Sequence, residues 1–139
     1  MDPAFTHVMD IAPTLLEVAG ASHPYPEKYK GREVQPMNGK SMAPFLAGKT
    51  DSVRDENEAV AWESIGWRAV RQGQWKATWF ASPFGPDDWQ LFDLASDLTE
   101  RNDLADKNKE KLNELILLWE EYADKFGVVM PVTTMKLSD

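Results

Sequence analysis

The chain has 139 residues, 42% of them hydrophobic, with six Trp, no Cys and a formal net charge of −8. That length suits one compact domain with one hydrophobic core, and the missing Cys excludes disulfides and thiolate metal sites and leaves the redox compartment unread. The acidic balance excludes the Lys/Arg stripes that nucleic-acid phosphates and anionic membrane surfaces need, and no apolar run approaches the roughly 20 residues of a membrane-crossing helix.

Residues 1–6 (MDPAFT) read as an appended leader, and no basic region followed by an apolar run marks a signal peptide. Residues 7–20 (HVMDIAPTLLEVAG) predict a helix that ends at Gly20, a residue type suited to the position just past a helix end, with Pro13 tolerated only in the first turn. Residues 21–40 hold Pro24, Pro26, Pro36, Gly31 and Gly39 without periodicity and predict a long loop. Ser41 is placed to cap a short helix ending at Gly48, and residues 49–57 read as charged and solvated.

Residues 58–64, 67–71, 74–80 and 89–94 predict four strands. Ile65-Gly66 and Gln72-Gly73 supply tight turns, and residues 81–88 (ASPFGPDD) a Pro/Gly loop, so an antiparallel meander follows. Residues 97–106 are rich in Asp, Asn and Thr and predict a capped turn region. From 107 to 126, Leu112, Leu115, Ile116, Trp119, Tyr122, Ala123 and Phe126 form one stripe on a 3.6-residue period, the mark of a long amphipathic helix. Trp119 and Leu115 are the residues expected deepest in the core, and residues 131–139 read as a tail. The expected fold is α+β: a sheet of about four antiparallel strands packed by the long C-terminal helix, with a short N-terminal helix at its edge.

Several of these stretches resemble sulfatases, members of the alkaline-phosphatase-like superfamily. Leu91-Phe92-Asp93-Leu94, Asp97, Glu100 and Asp103-Leu104-Ala105 resemble the LYDL-x-x-DP-x-E-x-x-DLA segment near the sulfatase C-terminus, with Phe92 in place of Tyr and Leu98 in place of Pro. Asp10, Pro13-Thr14-Leu15-Leu16 and Ala19-Gly20 match H-V-x-D-I-x-PT-L-L-x-L-A-G, and the piece from Gly39 to Gly48 resembles G-x-S-L-x-P-L-L-x-G. Trp62 to Lys76 resembles the W-E-x-x-G-x-R-A-V-R-x-G-x-W-K of bacterial arylsulfatases. The resemblance implies a C-terminal subdomain, residues 7–130, that docks beside the active-site cleft of a missing N-terminal catalytic domain. It implies a bacterial parent that hydrolyses sulfuric esters; a soluble protein is expected, with its compartment left open between cytoplasm and periplasm. In that family a formylglycine made from Cys or Ser in Cys/Ser-x-Pro-x-Arg is the nucleophile, and a divalent cation, calcium, is held by several Asp and an Asn.

None of that machinery is assigned to this chain: no catalytic, cofactor-binding or metal residue is expected, and the chain alone is expected to be inactive. Ser22-His23-Pro24-Tyr25-Pro26 has Ser and Pro at nucleophile spacing, but Pro26 stands where Arg is required. Asp87-Asp88 reads as a solvated turn rather than a metal pair, and Asn102-Asp103 as helix capping. His7 suits a local hydrogen bond. His23 sits in the long loop, and Lys40 and Lys76 match no catalytic Lys.

A binding module is the alternative, with Trp62, Trp67, Trp75, Trp79 and Trp89 as a sugar-stacking strip; Trp rings coplanar and exposed on one face would favour it. A small active hydrolase is a third reading, which turnover of an aryl sulfate by the chain would decide. Finally, the strands carry apolar residues on both faces, and one helix covers one face. Self-association through the second face or the first helix is therefore expected.

Overall fold

The computed structural model describes residues 4–130; the start of the leader and the tail read at 131–139 lie outside them. Contacts gather the chain into two compact units, Met1–Asp55 and Glu56–Asp139.

In the first unit a single 3-10 turn, Val8–Asp10, leads into helix α1, Ile11–Val18. Pro13 falls in the first turn of α1, where its missing N–H costs no hydrogen bond. Gly20, with φ of 65°, takes the left-handed position past the helix end, as its sequence position predicts. Helix α2, Ala43–Leu46, is one turn long. Its N-cap is Met42, and the Ser41 hydroxyl accepts from the Ala43 amide at 3.1 Å, so the expected cap acts from one residue further out.

The second unit is the meander. Strands β1 (Ala59–Ser64), β2 (Trp67–Gln72), β3 (Trp75–Trp79) and β4 (Trp89–Asp93) pair antiparallel in the order β1-β2-β3-β4. Helix α3, Lys109–Phe126, ends on Gly127 in the left-handed region. The register places Ala61, Val70, Ala77 and Leu91 side by side across the sheet. Val70, Ala77 and Leu91 join Leu115 and Trp119 of α3 in one core, with Trp75 and Trp89 packed around it. Leu115 is fully buried and Trp119 nearly so, as the helical stripe predicts.

The opposite sheet face departs from expectation. Val60, Ala69, Thr78 and Phe92 point away from the core row, and all four are buried. The loop after β4 explains part of this: it carries Glu100 back onto Lys76 (2.6 Å), whose ammonium sits 5.9 Å from the Trp62 ring centre. At the other end of the sheet Trp67 packs edge-on against Phe80 and Phe84, each at 5.4 Å between ring centres. The second face is therefore not the open apolar surface from which self-association was expected.

Candidate functional site

Asp10 is the most completely built polar position in the first unit. Its carboxylate is fully buried and accepts from both terminal nitrogens of Arg54, which is itself 8% exposed; the Nη1–Oδ2 contact is 2.5 Å. The His7 amide donates to Oδ2 at 2.8 Å and the Lys40 amide to Oδ1 at 2.9 Å. One turn on, the Thr14 hydroxyl donates to the Asp10 carbonyl (2.6 Å) and accepts from the Met42 amide (2.8 Å). Asp10 and Thr14 thus tie α1 to the segment 39–42. Gly39 is required there because a Cβ would overlap the Met9 carbonyl. Burial works to raise the Asp10 pKa, but the Arg54 hydrogen bonds, the Lys40 and His7 amides and the Arg54 charge together hold it below its ordinary value. A carboxylate so held is a structural anion and a poor general base. Residues 49–57 were expected to be solvated, and Arg54 corrects that. It lies 44 residues from its partner, a separation at which no periodicity gives a signal.

The other candidates fall elsewhere. His7 accepts from the Met9 amide (3.3 Å) and His23 from the Tyr25 amide (3.3 Å), both local bonds at separate places in the chain. Ser22 lies in the irregular loop 21–40, whose one bridge pairs Tyr29 with Arg32. Asp87 accepts from the Ser82 amide (2.9 Å) and Asp88 from the Trp89 amide (2.7 Å), so each carboxylate braces the β3–β4 loop. Asp103 does not cap α3, whose N-cap is Asn108. Its carboxylate accepts from the Leu91 and Ala105 amides (3.0 and 2.9 Å), while the Leu104 amide donates to the Leu91 carbonyl (2.8 Å). The Asp-Leu-Ala piece therefore closes the free edge of β4, and helix capping was the wrong role for it. Asn102 gives its amide to Asp97 (2.7 Å), as Arg101 does (2.7 Å). The Asn102 amide first, with the Arg101 amide and Thr99, holds the Asp97 pKa below its ordinary value against the opposing effect of desolvation.

The strand Trp residues divide between the two faces. Trp75, Trp79 and Trp89 lie on the α3 side, Trp62 and Trp67 on the other, and none is fully exposed. Trp89 meets Trp119 edge-on at 5.9 Å. The Arg68 guanidinium lies 4.4 Å from the Trp79 ring centre and 5.3 Å from that of Trp119, a cation between two indoles. Burial lowers the Arg68 pKa, and Glu63, its cross-strand neighbour, opposes that shift. The strand Trp rings are divided between two faces and each is partly buried, and Trp75 and Trp89 pack against the core.

Among the described residues no three His, Cys, Asp or Glu side chains gather as metal ligands would. One carboxylate oxygen each of Asp87, Asp88 and Asp103 accepts from backbone amides, and with no Cys and Pro26 in the place of Arg no formylglycine motif is formed. The described residues form no ligand set that fits a divalent cation, and the sequence holds no formylglycine motif. No helix among the described residues is long and apolar enough to cross a membrane.

No family model matches the chain. It is 39% identical over 126 residues to an uncharacterized sulfatase of Schizosaccharomyces pombe, covering 90% of this chain and 22% of that protein. It is 28% identical over 131 residues to a sulfatase of Formosa agariphila, covering 81% and 22%. Among solved structures it superimposes on Ps i-CgsB with a TM-score of 0.60 at 25% identity, over 88% of this chain and 25% of that one. The chain spans about a quarter of the length of the proteins it matches. The likeness is to one region of sulfatases, and since it reaches Schizosaccharomyces pombe it does not specify a bacterial source.

Proposed function

We infer that the chain is the C-terminal, non-catalytic subdomain of an arylsulfatase, a sulfuric ester hydrolase whose nucleophile and metal lie in a separate N-terminal catalytic domain. One observation carries this reading: nine-tenths of the chain matches a sulfatase of which it spans only 22%. The side-chain chemistry supports it. The buried anion Asp10 is paired to Arg54, and the loop carboxylates hold backbone amides. In this reading residues 7–130 form the subdomain, calcium and formylglycine belong to the catalytic domain, and the role of this piece is to pack against that domain and support its cleft. Sulfate esters are the substrate class of the whole protein.

The test compares two proteins: this chain, and the full reading frame that encodes it together with the remaining three-quarters. The full protein should turn over an aryl sulfate and the chain alone should not. Calcium or magnesium should leave the melting temperature of the chain unchanged, since a ligand stabilises only a state that binds it. Turnover by the chain alone, or a calcium-specific rise in its melting temperature, would overturn the non-catalytic reading. A full protein with no sulfatase activity would overturn the family reading.

A further inference from the structure

Gly39 holds a place in the first unit that no other residue fits. A Cβ there would overlap the carbonyl of Met9, in the turn that opens α1. The next residue fixes the position further, because the Lys40 amide donates to Asp10 Oδ1 at 2.9 Å. The residue before it is Asn38. A side-chain amide is open to attack by the main-chain nitrogen of the residue that follows, and a Cβ on that residue crowds the approach. Asn57, Asn102, Asn108 and Asn113 are followed by Glu58, Asp103, Lys109 and Glu114, and Asn38 alone is followed by Gly. Asn38 is exposed and lies in a stretch without regular structure. Among the described residues neither its side chain nor the Gly39 N–H is engaged in a hydrogen bond, so electrophile and nucleophile are both free. The other Asn residues are held. The Asn57 carbonyl accepts from Gln72, the Asn102 amide donates to Asp97, and Asn108 and Asn113 belong to the cap and body of α3.

We propose that Asn38 is a site of spontaneous modification, where an isoaspartyl linkage forms and loosens the mount of α1. The Gly39 nitrogen gives its proton to hydroxide and attacks Asn38 Cγ. The new C–N bond closes a succinimide ring, the Cγ–Nδ2 bond breaks, and Nδ2 takes a proton from water and leaves as ammonia. One water molecule then opens the ring. Attack at Cγ leaves an aspartyl residue on an ordinary main chain. Attack at the main-chain carbonyl carbon leaves the chain running through Cβ and Cγ, with a free α-carboxylate. The sum is one water consumed and one ammonia released, with no change of oxidation state. The second product inserts one C–C bond, about 1.5 Å, into the main chain just ahead of Gly39. That is where the fold tolerates least movement. Gly39 lies on Met9 with no room for a methyl group, and the Lys40 amide has to reach Asp10. Asp10 in turn holds Arg54 and the His7 amide. The packing that demands glycine at position 39 thus makes the residue before it labile. The proposal is independent of the sulfatase reading, since every contact it uses lies within the first unit.

The test ages the folded chain in warm, mildly alkaline buffer beside the same chain held unfolded in urea, and follows each Asn by peptide mapping. In the folded chain Asn38 should convert several-fold faster than Asn57, Asn102, Asn108 and Asn113, at a rate close to its own in urea. An isoaspartyl-specific carboxyl methyltransferase should label the peptide that carries position 38 as conversion proceeds. Hydrogen exchange at α1 amides should accelerate several-fold in the aged chain, while Trp fluorescence stays unchanged. Asn38→Gln should resist conversion and keep its α1 exchange on ageing. Freshly prepared Asn38→Asp adds the charge without lengthening the main chain, and its α1 exchange should match that of the fresh chain. Conversion in the folded chain slower than in urea by an order of magnitude would mean that the fold shields Asn38, and the proposal would fail. It would fail equally if α1 exchange stayed unchanged after isoaspartate had formed. An equal acceleration in fresh Asn38→Asp would assign the effect to charge and sink the account by main-chain lengthening.

Discussion

The two units bury opposite kinds of residue. In the second, Val70, Ala77, Leu91, Leu115 and Trp119 form an apolar core between sheet and helix. In the first, the buried residues are an ion pair and a hydroxyl, Asp10, Arg54 and Thr14, while Val8, Ile11, Leu15 and Val18 face outward and Leu16, Val34 and Val53 are half-buried. The second unit has what a free-standing fold requires, a contiguous apolar core that removes large side chains from water. The first is held by directional polar contacts that give it shape with little hydrophobic driving force. A buried ion pair is weak evidence for stability, since desolvation of the two charges offsets much of their attraction. The apolar stripe of α1, Val8, Ile11, Leu15 and Val18, is left in water.

All six Trp lie in the second unit, at 62, 67, 75, 79, 89 and 119, so Trp fluorescence follows that unit while hydrogen exchange at α1 amides follows the first. The largest expected effects break each interior in its own way. Trp119→Ala should cost about 3–5 kcal/mol in the urea unfolding followed by fluorescence. Arg54→Ala leaves Asp10 buried without its partner and should cost about 3–5 kcal/mol in α1 exchange protection. If Arg54→Ala also moved the fluorescence transition by the same amount, the two units would unfold as one and the contrast between them would fail.

The next largest comparison deletes the same atoms in both units. Leu115→Ala should destabilise by about 2–5 kcal/mol, because it empties a fully buried site. Leu15→Ala, at 64% exposure, should stay within about 0.5 kcal/mol in the isolated chain. A Leu15→Ala cost as large as that at Leu115 would show that the α1 stripe is already covered.

The subtlest effect is one of pH. Asp10 has a folded-state pKa below its ordinary value near 3.8. Its contribution is therefore fully present above that ordinary value and is lost as pH falls through the lower folded value. Exchange at α1 amides should accelerate below about pH 4, and Asp10→Asn should flatten that dependence. A profile of the same shape in Asp10→Asn would assign the acid sensitivity to other carboxylates.

Most of the second unit was legible in the sequence. A strand alternates with period two and a helix with period 3.6, so four strands, their order as a meander and the inward placement of Leu115 and Trp119 follow from neighbouring residues alone. The turn at Ile65-Gly66 was legible from the same local pattern, and both residues have positive φ. The Asp103 role was not. Asp-rich segments before a helix usually cap it, and only the folded chain shows that Asp103 and Leu104 bracket Leu91 on the edge of β4.

Local periodicity determined which elements form and which of their sides are apolar, because those properties depend on residues within a turn or two. The tertiary structure decided what each side meets. It joined Asp10 to Arg54 across 44 residues, brought Glu100 back to Lys76 and buried Phe92 on the second face of the sheet. It also left Val8, Ile11, Leu15 and Val18 in water. A hydrophobic pattern states that a side must be covered, and the identity of the cover depends on long-range contacts that no local spacing encodes.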